Sequence, residues 1–369
     1  MARREHTQHN QIDKRKQASA SAGRKEKSTE TGRRNDRARS ERSAAPKRGG
    51  NRAPGESRRA GERTQTERTS GAYTASGTAA RDWALPVAVT VETEAQLAEV
   101  LRHDAVALVY LDEACFTDFT ALIQRVHAAG KQAGLRLRRI QRDLEASGRK
   151  AENSAERLAG LWKAACDAQP PSCLPDVLLV RNLDEAMLLE DFFAAHPELK
   201  ARIRRNFDYT VYGYNQEAIQ ALASLGADGL TYPIELTYHE CRKLREKLRS
   251  SGPGELPFEL MIYGHLPMMV SANCIQRTSA HCDHGNRILQ LRDRMGKDMP
   301  VRCYCTYCYN QIFNAEPLVL YDLPDEVRAL QPQCLRYDFS VEPAAVVRQV
   351  LEGAVPRSMT RGHFRHGIE

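Results

Sequence analysis

Strand-like and helix-like segments take turns along most of this chain, and that alternation limits its fold more than any other feature. Short apolar runs occupy 87–91, 106–111, 134–137, 177–180, 229–233 and 258–263, and a more polar strand candidate covers 203–211. Between them lie stretches with apolar residues at helical spacing: 94–101, 117–129, 154–166, 185–195, 216–225 and 238–248. A helix between two strands lets them pair in parallel, so repetition of the unit predicts a parallel sheet. Seven such strands fit a (β/α) barrel of the TIM type, with an open doubly wound sheet as the competing architecture. No Gly-x-Gly-x-x-Gly follows any of the strands, which argues against dinucleotide binding. The charged segment 138–151 breaks the rhythm and reads as a long excursion from one strand–helix loop, a candidate lid. A last amphipathic helix is expected over 341–351.

The alternation starts only after Trp83. Between Met1 and Gly71, Ile12 is the only large aliphatic or aromatic residue. Such a stretch cannot bury enough apolar surface to offset its ordering entropy. The expected organisation is therefore a disordered basic segment over 1–82, a barrel-like domain over 83–264, and a cysteine-rich C-terminal part of that domain over 265–369. Charge divides the same way. Residues 1–80 hold 20 basic and 9 acidic residues, a net of +11, out of 54 and 47 in the whole chain, so the remainder is −4. A basic tail of this kind attracts polyanions such as RNA or acidic lipid headgroups. No run of 18 apolar residues is present, so no membrane span is expected, and residues 1–30 lack the apolar core of a secretory signal. The expected compartment is the cytoplasm, where thiols stay reduced.

Six of the ten cysteines fall between 274 and 334. In a reducing compartment such crowding points to metal before disulfide. Cys305-x-x-Cys308 lets two thiolates converge from one tight turn, and Cys274 and Cys282 lie just beyond the seventh strand candidate. Barrels place their active sites at the C-terminal ends of their strands. Cys274, Cys282, Cys305 and Cys308 are thus the candidate ligands of one iron–sulfur cluster or one four-cysteine zinc site, since soft thiolates suit both. Cys303 and Cys334 are rivals, and His281 and His284 lie close to Cys282. Cys303 is expected to point away from the cluster. A His-Glu-x-x-His helix and a Gly-x-Ser-x-Gly elbow are both missing, so no peptidase centre of those kinds is visible.

The stretch Tyr263-Gly264-His265-Leu266-Pro267-Met268-Met269-Val270-Ser271-Ala272-Asn273-Cys274 resembles a motif that usually reads Tyr-Gly-Arg-x-Pro-x-Met-x-Ser-x-x-Cys. Leu291-Arg292-Asp293-Arg294 with Met299-Pro300-Val301, and Cys308 through Asn314 with Pro317-Leu318, are similar to its continuation. Arg336-Tyr337-Asp338-Phe339 and Gly362-His363-Phe364-Arg365 extend the likeness. On these residues the chain resembles peptidase family U-32, the collagenase-like proteases, and specifically the C-terminal module of its longer members. The resemblance implies a barrel-like fold and a cluster held by four cysteines, of the four-iron type. It also implies a peptidase activity, although some members are oxygen-independent hydroxylation factors acting on RNA bases or quinone precursors. His265 departs from the pattern, standing where the family usually has Arg. The first module of the longer members is absent, so a partner subunit supplying it is a further expectation.

Three functions follow as expectations. The chain is a collagenase-like peptidase, a hydrolase carrying an iron–sulfur cluster. Alternatively it is an iron–sulfur protein that assists hydroxylation of RNA or another aromatic substrate. The third is a non-catalytic module that partners a catalytic subunit.

Overall fold

A computed structural model of the chain describes residues 73–75, 77–167, 173–250, 256–279 and 282–367. In chain order these form β1 (Tyr73–Ala75), β2 (Val87–Val91), α1 (Glu94–Val100), β3 (Val106–Asp112), α2 (Phe119–Ala128), β4 (Gln132–Arg136), α3 (Ser154–Asp167), β5 (Val177–Val180), α4 (Leu183–Ala195), α5 (Pro197–Lys200), β6 (Arg204–Phe207), α6 (Gln216–Ser224), β7 (Gly229–Thr231), α7 (Tyr238–Ser250) and β8 (Phe258–Gly264). There follow β9 (Pro267–Ser271), α8 (Ile275–Ser279), β10 (Ile288–Arg292), β11 (Asp298–Tyr304), β12 (Tyr309–Phe313), β13 (Leu318–Val319), α9 (Pro324–Ala329), β14 (Cys334–Asp338), α10 (Ala344–Leu351) and β15 (Ala354–Pro356).

Eight strands pair in parallel in the order β14-β2-β3-β4-β5-β6-β7-β8, and β8 pairs back onto β14. The sheet is closed, which rules out the open doubly wound alternative. The eighth strand is β14, formed by residues 334–338 and absent from the strands expected from apolar runs. The cysteine-rich part is also narrower than 265–369. It is an antiparallel sheet ordered β10-β11-β12-β9, inserted between β8 and β14, after which the chain returns to finish the barrel.

Short polar residues start the helices where the strands leave the barrel. Thr93 and Gln96 form a reciprocal cap on α1, while Asp118, Asn182 and Asn215 cap α2, α4 and α6. Each cap satisfies a backbone N–H that the first helical turn leaves without a partner. Period-two alternation then sorts the strand residues. Val87, Val89, Val91, Val109, Leu111, Leu178, Val180, Leu335 and Tyr337 face the helices in the main core. Ala88, Leu108, Tyr110, Val177 and Leu179, with Cys334 against them, form a separate cluster inside the barrel. Gly134 is needed there, because a Cβ on it would lie 2.4 Å from the Tyr110 ring.

The segment expected to be disordered lies mostly outside the described residues. Its end does not fit that expectation. β1 pairs antiparallel with β15, Gly77 N–H donates to Gly353 C=O at 2.9 Å, and Ala79 and Ala80 are buried. Among the described residues no helix is long and apolar enough to cross a membrane.

One outer contact has a clear pH signature. Arg348 on α10 donates two hydrogen bonds to Glu99 on α1, both at 2.8 Å. The Arg348 bonds outweigh the opposing effect of burial, and with help from His103 they lower Glu99 from 4.5 to about 2. A carboxylate depressed in the folded state adds stability above its unfolded value, and loses it as pH falls through the folded one. Glu99→Gln should therefore unfold at lower denaturant concentration than the parent at pH 7. The gap should close between about pH 4.5 and pH 2. A gap of constant size down to pH 2 would show that the contact is not electrostatic.

Candidate functional site

The inserted sheet sits on the C-terminal end of the barrel, where parallel barrels carry their chemistry. It is joined there by charge. Arg302 on β11 donates to the Glu92 carboxylate at 2.8 Å and to the Glu92 carbonyl at 3.0 Å. The Tyr304 hydroxyl donates to the same carboxylate at 3.2 Å. Tyr304 stacks on Tyr309 of β12, with ring centroids 4.8 Å apart. These rings and Tyr307 pack with Ala114 and Ala151, so an aromatic layer separates sheet from barrel.

Beneath that layer the barrel interior is ionic. Arg136 lies 3.1 Å from Glu92, 3.3 Å from Asp112 and 3.6 Å from Asp338. Arg181 bridges Asp112 and Asp208 at 3.7 and 3.5 Å. Arg336 reaches Asp208, Glu259 and Asp338 at 2.8, 2.6 and 2.9 Å. All of these groups are buried. Burial works to raise Asp208, but Arg336 and Arg181 outweigh it and hold its carboxyl below the usual range. At Glu92 burial wins over Arg302 and Arg136, and the carboxyl is raised.

Apart from Arg336 and Asp338, which fall in a stretch that carries the resemblance, none of this network was singled out from the sequence, though a signal was present. Val91-Glu92, Leu111-Asp112, Leu135-Arg136 and Val180-Arg181 each end an apolar strand on a charge. A charged residue at the C-terminal end of a barrel strand reads as functional.

The cysteines occupy the other side of the inserted sheet. Cys274, Cys282, Cys305 and Cys308 all line one small cavity, together with His284, Tyr309 and Asn310. The four residues expected to meet do meet. Cys274 precedes α8, and its sulfur accepts the Arg277 N–H at 3.4 Å. The Cys305 N–H donates to Asn286 at 2.7 Å, and its thiol donates to the Gly285 carbonyl at 3.1 Å. Cys308 is exposed at the end of the turn with φ 55°, a left-handed conformation that a side chain tolerates only when its surroundings impose it. Burial and then the sulfurs of Cys303, Cys282, Cys274 and Cys308 push Cys305 up to about 12.

Cys303 lies on β11 between Arg302 and Tyr304, which both turn toward Glu92, and it is not among the residues that line the cavity. Burial raises the Cys303 thiol, and Cys274 and Cys282 raise it further. Cys334 is no rival, because it packs inside the barrel against Ala88, Leu108 and Tyr110. His284 lines the cavity, and His281 lies outside the described residues.

The donor set suits a soft metal, since several thiols converge from three separate segments. The space is tighter. The cavity holds about 10 Å³, close to the least that admits one water. No three His, Cys, Asp or Glu among the described residues are arranged around a single ion.

The excursion expected over 138–151 is the loop between β4 and α3, and it grips the cysteine turn. The Ala146 N–H donates to the Thr306 carbonyl at 2.7 Å, and the Arg138 guanidinium lies 4.4 Å over the Tyr307 ring. Arg138 and Arg157 also pair with Glu113 at 3.5 and 2.8 Å. Burial, helped by Glu113, pushes the neighbouring Glu185 up to about 7.

Comparison with known protein families finds no match, and comparison with curated proteins finds none either. Among solved structures the chain is similar to the glycerol uptake operon antiterminator regulatory protein of Listeria monocytogenes, at 12% identity and a TM-score of 0.30 over 48% of this chain and 80% of that one. It is similar to the spore cortex-lytic enzyme of Bacillus megaterium, at 8% identity and a TM-score of 0.34 over 73% and 74%. An α-amylase of Lactobacillus plantarum gives 13% identity and a TM-score of 0.26 over 48% and 62%. Likeness at this level says nothing about activity, and the closed barrel rests on its own strand pairings.

Proposed function

We propose that this chain is an iron–sulfur protein of the collagenase-like type, family U-32, whose chemistry is redox work on an aromatic substrate such as an RNA base. The observation that carries the reading is the meeting of Cys274, Cys282, Cys305 and Cys308 at one cavity on the barrel's C-terminal side. When bound, the cluster would supply electrons one at a time. The chain's own residues would hold it: the 305–308 turn, Cys274 before α8, and Cys282, with Cys303 as a fifth sulfur in reach. Peptide hydrolysis is supported less well. Cys115 is the thiol nearest the barrel-mouth network, and burial, with Glu92 and Asp112 close by, pushes it well up. A nucleophilic cysteine needs the opposite shift.

The deciding experiment is anaerobic purification followed by iron and sulfide analysis and a visible spectrum. A brown protein with several irons per chain is expected. A colourless protein, or one holding a single zinc, would overturn the reading.

The basic segment belongs to the same proposal as the contact for RNA phosphates. Removing residues 1–72 leaves β1 in place and should abolish RNA retention at low salt. Affinity of the whole chain should fall steeply between 50 and 200 mM salt, as counterion release requires. Undiminished binding by the shortened chain would place the contact on the barrel.

A further inference from the structure

A second cavity opens at the barrel mouth, apart from the cysteine cavity. It lies between the start of α1 and the loop and first turns of α2, and measures about 400 Å³. That is within the range of small-molecule pockets. One wall is apolar, made by Phe116, Ala121 and Leu122, and the rim is charged, made by Glu94, Asp118 and Arg125. Cys115 also lines it. Behind Cys115 stands the ionic network, because its thiol donates to Glu92 at 3.6 Å and Arg302 lies 4.0 Å from its sulfur. The cavity is thus an opening from solvent toward the buried charges of the barrel.

We propose that this cavity is a binding pocket for a small, non-anionic molecule that carries hydrogen-bond donors on an apolar body. Charge decides the class. Arg125 is committed to Glu94 at 2.8 Å. That pair is neutral, which leaves Asp118 as the unbalanced charge on the rim. Asp118 also accepts the Ala121 N–H at 3.1 Å, so the positive end of α2 is already countered by the cap. An incoming carboxylate or phosphate meets a net negative rim, whereas an amine, amidine or hydroxyl meets acceptors. Phe116, Ala121 and Leu122 accommodate the apolar body. The pocket needs nothing from the cysteine cavity, so the proposal stands whether or not a cluster binds there.

The test uses the whole chain with three ring compounds of similar size: benzamidine, phenol and benzoate. Calorimetry should show benzamidine and phenol binding, with benzoate at least tenfold weaker. Asp118→Asn keeps the cap and removes the charge, so it should weaken benzamidine several-fold and leave phenol unchanged. Ala121→Phe fills the pocket from an exposed helix position and should remove binding of both. Benzoate binding as tightly as benzamidine overturns the assignment. So does the failure of benzamidine and phenol to bind, or binding that survives Ala121→Phe.

Discussion

Serine at Cys305 will leave the protein unable to hold iron after anaerobic reconstitution. Cys305 lines the cavity with Cys274, Cys282 and Cys308, and burial, then Cys303, Cys282, Cys274 and Cys308, push its thiol up to about 12. Without metal the Cys305 thiol therefore stays protonated. Ligation demands the thiolate form, so binding draws protons off and turns mutual repulsion into shared attraction to the metal. Serine offers a harder oxygen with a much higher pKa, and a cluster ligated by cysteines tolerates it poorly. Cys274→Ser should lose most of its iron for the same reason. The informative pair is Cys303→Ser and Cys308→Ser. Cys308 is exposed at the end of the turn, and Cys303 is buried on β11. If Cys308 is the fourth ligand, its variant loses iron and Cys303→Ser keeps it. Full iron in both Cys274→Ser and Cys305→Ser would end the cluster assignment.

Most of the barrel was legible because its signals are local. A strand such as 87–91 is five consecutive buried residues, and a helix such as α2 announces itself by Asp118 and the spacing of Phe119, Leu122, Ile123 and Val126. The eighth strand was not legible for a physical reason. Its sequence, Cys334-Leu-Arg-Tyr-Asp338, alternates between a helix-facing apolar side and an ionic inner side. A strand that buries charge looks like a solvent-exposed one until its partners are known. The same holds for β6, where Arg205 and Asn206 made the candidate look polar. The cysteine site shows both limits at once. Spacing singled out Cys305 and Cys308, which share a local turn, and the structure lines one cavity with these two, Cys274 and Cys282. It could not orient Cys303, since the docking of Arg302 and Tyr304 onto Glu92 decides which face of β11 meets the barrel. At the N-terminus, composition set the boundary at residue 82, whereas the pairing of β1 with β15 is a contact between the two ends of the domain. No local pattern records it.

Methionine at Arg336 should cost the barrel about 3–5 kcal/mol, the loss typical when one partner of a buried ion pair is removed. The guanidinium is completely buried and lies within 2.9 Å of three carboxylates, those of Asp208, Glu259 and Asp338. Methionine replaces the aliphatic stem with an apolar chain and leaves only the guanidinium's volume empty. The damage is that acidic groups stay buried without their cation. For a domain of this size the cost corresponds to roughly 6–20 °C of melting temperature. The pH dependence separates this cause from poor packing. In the parent, Asp208 is held below its usual value, so its contribution is present above about pH 4 and fades as acid protonates it. In the variant the freed carboxylates rise instead, and each proton they take up removes a buried charge. The deficit of Arg336→Met should therefore be greatest at pH 7 and above, and should shrink as pH falls toward 5. Adding Glu259→Gln and Asp208→Asn to the variant should recover part of the loss at pH 7, because neutral amides need no cation. A deficit below about 1 kcal/mol, or one that does not vary with pH, would mean that the network does not hold the barrel together electrostatically.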